Sequence, residues 1–363
     1  MFNGIIWSAV EKLSTQAVTF ILGIVLARIL SPSEYGILGI LLVFTGISQI
    51  FIDSGFTAAL VQNQKRTQKD ISTVFFFNIG VSIFFFLLLF LFAPFIADFY
   101  NESSLKIYLR VIAISLIINS FFTIPATLLS IDLNFKALAK VNLSSTIISG
   151  LVAIYFAYNG YGIWALIIQT ILKSVLMTGF IWFSIQWKPS YVFSKTSFKT
   201  MFSFGYNILL TSLLNKIVND FSSLFIGKYI SPKELGIYSR GLQFADFAFV
   251  TINGILSRVL FSGLSKIQDD LILLKKHIKK TQKLTAFITA PFFIGLFVLT
   301  KPLILFLLTD KWLAAAPIMQ IFCIARLITI PCGTNINILY IVGRTNLVLK
   351  QQYLVVALSL IHI

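Results

Sequence analysis

The residues of greatest chemical interest are ionisable and amide side chains that interrupt long apolar stretches of the sequence. Charged groups inside a membrane span are costly and usually face the protein interior or a water-filled cavity. Bases and amides in such places suit non-covalent binding of an anionic, polar ligand, and acids suit ion coupling or charge pairing. The candidate ligand-binding residues are Lys12, Gln16, Lys216, Arg240, Gln243 and Arg326. The candidate ion-coupling or charge-pairing residues are Asp53, Asp220 and Asp246.

The spacing of Lys216 and Asp220 is i, i+4, so both side chains fall on one face of a helix. Two interpretations are open: a self-neutralised pair, or a site for phosphate binding and ion coupling. Gln16 takes the position of Lys216 when the chain is shifted by about 200 residues, which favours a cavity lining. Arg326 lies well inside an apolar segment and is expected to be an interior cation. Asp53 is expected to pair with a neighbouring arginine or lysine in a structural role.

Arg240, Gln243 and Asp246 fall on one stripe of a predicted helix. This stripe is interpreted as a cavity lining, with the alternative that Arg240 extends its side chain to the lipid headgroups. Lys12 follows Glu11 in the sequence. Either the two side chains are expected to form an ion pair at the membrane interface, or Lys12 is expected to line the cavity.

The elements that position these residues are membrane helices. The chain is 57% hydrophobic and 12% charged, with a mean hydropathy of +0.90, whereas a soluble domain carries about 25% charged residues. The net charge of +16 is expected mainly in cytoplasmic loops, so no nucleic-acid partner is predicted. Cys323 and Cys332 alone predict neither a disulfide framework nor a metal cluster.

A spanning helix needs about 20 mainly apolar residues. A basic linker at 186–200 separates an N-terminal bundle, 1–185, from a C-terminal bundle, 201–363. The predicted segments are 8–30, 36–60, 72–97, 106–130, 141–159, 162–184, 202–230, 236–264, 284–308 and 314–341, and a last one begins near 347.

The distribution of lysine and arginine predicts the orientation. Alternate loops are rich in bases, for example at 65–69, 188–199 and 275–283, whereas the intervening loops hold few. By the positive-inside rule, the N-terminus and the linker lie in the cytoplasm.

A repeated motif relates the two bundles. LARILSPSEYGI at 26–37 returns at 226–237 as IGKYISPKELGI, with Ser, Pro, Glu, Gly and Ile in register. Each copy predicts a helix start with a capping box and proline at the first helical position. The offset spans an even number of segments, which predicts two parallel six-helix halves. The second half is expected to be truncated, since the sequence stops inside the eleventh segment of the chain.

The motif at 26–36, together with IDSGFTAALVQ at 52–62 and SRVLFSGLSKIQ at 257–268, resembles a known family. This family comprises the Wzx-type polysaccharide flippases of the multidrug/oligosaccharidyl-lipid/polysaccharide exporter superfamily. The resemblance implies an all-α, MATE-like inverted-V architecture in the bacterial inner membrane. It also implies transfer of undecaprenyl-diphosphate-linked oligosaccharide to the outer leaflet for O-antigen, capsule or exopolysaccharide synthesis. The implied partners are this lipid-linked oligosaccharide, membrane lipids, and polysaccharide polymerase and export machinery.

The mechanism expected for such a chain is alternating access through a cationic cavity, without a cofactor. One alternative is a multidrug or cation antiporter, whose cavity should favour acids and aromatics. Another is a peptidoglycan-precursor flippase. A membrane glycosyltransferase or polymerase is a distant alternative, since the sequence has no P-loop, HExxH, GxSxG or metal-spaced Cys/His cluster. The chain is therefore predicted not to be an enzyme.

Overall fold

The computed structural model describes residues 2–264, 271–341, 347, 350, 351 and 354, with side chains over 12–247, 249–250, 277–330 and those four positions. Regular structure in this part of the chain is helical, without strands, which confirms the predicted all-α fold. The predicted segment near 347 and residues 265–268 of the third motif fall largely or wholly outside the described residues. The helices are α1 (Phe2–Ile29), α2 (Pro32–Asp53), α3 (Phe56–Gln62), α4 (Gln68–Tyr100), α5 (Leu105–Ile112), α6 (Ile114–Ile131), α7 (Phe135–Tyr158), α8 (Ile163–Ser184), α9 (Lys195–Tyr229), α10 (Pro232–Leu264), α11 (Leu271–Leu307) and α12 (Ala315–Ile341).

Helix length and apolar composition identify a multi-pass membrane protein. Seven stretches within the described residues are long and apolar enough to cross a membrane. Helix α9 has 35 residues but contributes no such stretch. Its length exceeds the roughly 20 residues that a span requires, and its polar side chains lower its hydropathy.

Both copies of the repeated motif begin a helix as predicted. The Ser31 hydroxyl accepts a hydrogen bond from the Glu34 N–H, and the Glu34 carboxylate accepts one from the Ser31 N–H at 2.6 Å. In the second copy, the Ser231 hydroxyl accepts from the Glu234 N–H at 3.1 Å. The caps satisfy backbone N–H groups that a helix start leaves without intrahelical partners.

The predicted second segment is found as one candidate span, Pro32–Gln62, but this span consists of two helices. Ser54 and Gly55 separate α2 from α3, and both have left-handed backbone angles, with φ of 47° and 71°. A Cβ on Gly55 would stand 2.5 Å from the carbonyl oxygen of Gly205. The break therefore needs glycine both for its backbone angle and for the close approach of α9.

The described helices fall into two compact units, residues 1–236 and 237–363. In the first unit, α7 packs against α1 and α8, α4 packs against α5 and α6, and α9 packs along α2, α3 and α4. In the second unit, α11 packs against α12. The division into bundles at 185 and 201 stays a prediction from the repeat.

The linker before α9 is fastened to the start of α4. Gln68 Nε2 donates to the carbonyl of Lys188 at 2.7 Å, and Trp187 Nε1 donates to Gln68 Oε1 at 2.7 Å. The Ser190 N–H donates to Ser72 Oγ at 3.0 Å. These bonds fix where α9 enters the first unit.

Candidate functional site

A polar face runs along α9. Asn207, Thr211, Asn215 and Asn219 recur every four residues and are all exposed. The Thr211 hydroxyl donates to the Asn207 carbonyl at 2.8 Å, but asparagine amide groups facing hydrocarbon would lack hydrogen-bond partners. We therefore expect this face to meet water rather than lipid tails.

The neighbouring face of α9 packs closely on α2 through glycines. A Cβ on Gly205 would lie 2.5 Å from the Ser54 carbonyl oxygen, and one on Gly227 would lie 3.2 Å from Ile40. Between these points, a Cβ on Gly46 would lie 2.8 Å from Cε of Lys216. Small residues of this kind let membrane helices approach closely, and we call this contact the α2–α9 seam.

Lys216 lies in the α2–α9 seam beside Asp220. Lys216 Nζ is 2.7 Å from Asp220 Oδ2, and the two side chains are 32% and 18% exposed. Asp220 Oδ2 nonetheless lacks an aligned hydrogen bond, so the contact is chiefly electrostatic. The predicted shared helix face is confirmed, and the pair keeps partial access to solvent.

A second ion pair lies in the second unit, between Arg326 on α12 and Asp246 on α10. Arg326 Nη2 and Nε lie 2.5 and 2.7 Å from Asp246 Oδ1. The guanidinium also lies over the Phe249 ring, 4.4 Å from its centroid. The side chains of Arg326 and Asp246 are 19% and 33% exposed, so the interior cation predicted at Arg326 carries a compensating acid.

Arg240 does not extend toward the headgroups. It is 7% exposed, donates from Nη1 to Gln243 Oε1 at 2.5 Å, and lies 5.8 Å from the centroid of the buried Trp312 ring. The predicted stripe is therefore divided: Arg240 is packed inside the second unit, Gln243 is exposed, and Asp246 pairs with Arg326.

The remaining predicted residues lie in the first unit. Lys12 is exposed and Gln16 is half-buried on α1, while the side chain of Glu11 falls outside the described residues. Asp53 accepts a hydrogen bond from the Thr57 hydroxyl. No described arginine or lysine forms an ion pair with Asp53, so the expected basic partner is not found there.

Within the described residues, no cluster of His, Cys, Asp or Glu could hold a metal ion. Among the described residues, the geometry does provide an acid-compensated cation in each unit, Lys216 and Arg326, together with the polar face of α9. Such groups can bind and release a charged ligand by exchanging partners.

Comparison with known proteins identifies the family. The model of a family described as "Polysaccharide biosynthesis protein" matches residues 25–317. The chain belongs to this family. Its membership confirms the resemblance inferred from the motifs at 26–36 and 52–62.

Several curated proteins resemble the chain over most of its length. The teichuronic acid biosynthesis protein TuaB of Bacillus subtilis is 27% identical, over 96% of this chain and 72% of the relative. The succinoglycan biosynthesis transport protein ExoT of Rhizobium meliloti is 25% identical, over 93% and 68%. The lipopolysaccharide biosynthesis protein WzxC of Escherichia coli is 22% identical, over 90% and 67%.

Solved structures show the same fold. An inward closed conformation of the lipid II flippase MurJ matches with a TM-score of 0.73 at 19% identity, over 93% of this chain and 76% of that one. An inward-facing MATE-family transporter of the MOP superfamily matches with a TM-score of 0.69 at 14% identity, over 98% and 88%. The predicted MATE-like fold is thereby confirmed.

Sequence reasoning missed the glycines of the α2–α9 seam. Gly46, Gly205 and Gly227 interrupt apolar or polar helical runs, where glycine lowers helix propensity. In a membrane helix this is a signal for close packing, although the sequence does not show which helix approaches.

Proposed function

We propose that this protein is a flippase that moves undecaprenyl-diphosphate-linked oligosaccharide from the inner to the outer leaflet of a bacterial inner membrane. The observation that carries the proposal is the partly exposed Lys216–Asp220 pair, set in the α2–α9 seam beside the polar face of α9. Membership of the polysaccharide biosynthesis family and the names of its relatives support the substrate class.

The ion pair suits a substrate with an anionic diphosphate. A lone cation in a membrane span is costly, and Asp220 reduces that cost while no substrate is bound. An arriving phosphate can replace the carboxylate as the partner of Lys216, because both are oxyanions that accept charge-assisted hydrogen bonds. Asp220 would then take up a proton or a cation, which couples substrate binding to an ion gradient. The Arg326–Asp246 pair offers the same exchange in the second unit.

Transport follows an alternating-access cycle in this proposal. Glycines bring the two helices of the α2–α9 seam close together, and this seam would open and close during the cycle. The charged pair in the seam would become accessible as the helices part, while the polyprenyl tail stays in the bilayer. The N-terminus lies in the cytoplasm, and the translocated glycan passes to polymerase and export machinery outside.

A drug antiporter fits the charges less well. A cationic drug needs an available carboxylate or an aromatic cage, whereas Asp220 and Asp246 are each paired with a base. The proposed activity makes and breaks no covalent bond, so the protein acts as a transporter and not as an enzyme.

The proposal is tested by charge replacement in cells that depend on this protein for surface glycan. The Lys216→Ala and Arg326→Ala double variant should deliver less than about a tenth of the wild-type glycan, because both substitutions remove charge-assisted contacts to the substrate. Lys301→Ala, which removes an exposed lysine of α11, is the matched control and should deliver normally. Normal delivery by the double variant at equal abundance would contradict the proposal.

A further inference from the structure

A cavity of about 450 Å³ opens between the end of α3 and the start of α9. It lies in the first unit, beside the base-rich loop at 65–69, at the end of the helices that the positive-inside rule assigns to the cytoplasm. Its volume falls in the range of roughly 300–1,000 Å³ that is typical of small-molecule sites. The lining residues include Gln62, Asn63, Lys65, Thr200, Met201 and Phe204.

One wall of the cavity presents hydrogen-bond donors. Within the described residues, neither the Gln62 amide nor the Lys65 ammonium has a hydrogen-bond or ion-pair partner. Asn63 Oδ1 accepts from the Lys65 N–H at 3.0 Å, so the Asn63 amino group is the part left to a ligand. An ammonium beside two amides suits an anion that also carries hydroxyl groups.

The end of α3 would by itself disfavour an anion, because the last carbonyls of a helix carry partial negative charge. Arg66 offsets this effect. Its Nη1 donates to the carbonyls of Leu60 at 3.3 Å and Asn63 at 3.0 Å. A cation therefore covers the helix end and adds to the positive potential from Lys65.

The lining also includes the apolar side chains of Met201 and Phe204 on α9. Met201 is 3% exposed and Phe204 is 40% exposed. The Phe204 ring can pack against the C–H face of a sugar ring, while the amides of the lining can bind its hydroxyl groups. Asn207, one turn further along α9, begins the exposed polar face, so the cavity adjoins the route assigned to the substrate.

We propose that this cavity is the cytoplasmic docking site for a phosphate-linked sugar, the head of the lipid-linked substrate, before translocation. Lys65 contacts the phosphate, Gln62 and Asn63 contact sugar hydroxyls, and Phe204 supports the sugar ring. The inference rests on the proposed function and adds a place of first contact that is separate from the Lys216–Asp220 pair.

The test measures binding to the purified full chain in detergent by native mass spectrometry. The probes are undecaprenyl-diphosphate-linked N-acetylglucosamine, the soluble sugar nucleotide UDP-N-acetylglucosamine, and phosphatidylglycerol. Lys65→Ala and Gln62→Ala should each weaken binding of the lipid-linked sugar about tenfold, as expected for loss of a hydrogen bond to a charged or polar group. Lys69→Ala removes an exposed lysine four residues away and should leave binding unchanged.

Three results would overturn the docking site. They are unchanged binding of the lipid-linked sugar in both variants, an equal loss of phosphatidylglycerol binding, and tighter binding of the sugar nucleotide than of the lipid-linked sugar. If the wild-type chain translocates the lipid-linked sugar while both variants bind it normally, only the docking site fails. If the wild-type chain neither binds nor translocates it, the proposed function itself fails.

Discussion

Gly36 lies so close to the carbonyl oxygen of Pro232 that a Cβ at Gly36 would stand 1.6 Å from it. The relationship is reciprocal, since a Cβ at Gly236 would stand 1.8 Å from the carbonyl oxygen of Pro32. Pro32 is equivalent to Pro232, and Gly36 to Gly236, in the two copies of the repeated motif. The motif therefore does more than start two helices: its proline begins each helix, and its glycine admits the carbonyl of the other copy.

The first prediction concerns this reciprocal contact. Gly36→Ala should lower the free energy of unfolding by about 1–3 kcal/mol, because the new methyl group meets backbone that cannot rotate away. Chemical unfolding in detergent measures the change. Gly80→Ala is the control, since a Cβ there meets no atom within 4 Å, and it should be neutral or stabilising by up to about 1 kcal/mol. Equal stability of the two variants would show that the motifs are not in contact.

The second prediction concerns Lys216 in the α2–α9 seam. Gly46→Ala should carry only a small cost, because its Cβ would stand 2.8 Å from Cε of Lys216, the end of a flexible side chain that can shift. In a Lys216→Ala background the same substitution should cost less, by at least about 0.5 kcal/mol. The four unfolding free energies form a double-mutant cycle. Simple additivity would place the Lys216 side chain away from Gly46.

The third prediction concerns the pair formed by Arg326 and Asp246. Asp246→Asn should cost about 1–3 kcal/mol of stability, because it leaves a partly buried guanidinium without its anion. Removing both charges, with Asp246→Asn and Arg326→Gln together, should recover part of this loss. Unfolding of the single and double variants gives the coupling energy. A coupling energy of zero would argue against the pair.

The fourth prediction assigns Arg240 a packing role. Trp312 is fully buried beneath it, so Trp312→Ala should cost about 3–5 kcal/mol. Trp312→Phe should cost less and should retain glycan delivery, since Arg240 keeps an aromatic ring and its bond to Gln243. Leu313→Ala, at a residue 38% exposed, is the control. Loss of delivery in a stable Trp312→Phe protein would instead give this cluster a role in substrate handling.

The fifth prediction concerns topology. In a background that lacks Cys323 and Cys332, Ser103→Cys should react with an impermeant thiol reagent added to intact cells. Lys279→Cys should react only after the membrane is permeabilised. Both positions are exposed, so access depends on the side of the membrane. The reverse labelling would invert the orientation derived from the positive-inside rule.

The helices were largely predictable because their signals are local. Run length predicted the seven described stretches that are long and apolar enough to cross a membrane, and Ser31 followed by Pro32 and Glu34 predicted the start of α2. The break after Asp53 was missed, although Ser54-Gly55 is a recognisable helix-ending signal. The apolar sequence continues on both sides of Ser54-Gly55, and this continuity predicted a single helix.

The candidate site was less predictable because its contacts cross between helices. The Lys216–Asp220 pair follows from spacing on one helix. Asp246 and Arg326 pair although they are 80 residues apart in the sequence. The periodicity of one helix does not predict which residues of another helix it contacts. The burial of Arg240 against Trp312 escaped prediction for the same reason.

The central claim is that this protein carries a lipid-linked glycan across a bilayer. The most direct measurement places the purified chain in vesicles whose inner leaflet holds undecaprenyl-diphosphate-linked oligosaccharide, and follows cleavage of the glycan by an external glycosidase. The account predicts that the protein makes the glycan accessible much faster than in empty vesicles, and that the Lys216→Ala, Arg326→Ala double variant does not. Equal rates with and without the wild-type protein would contradict it.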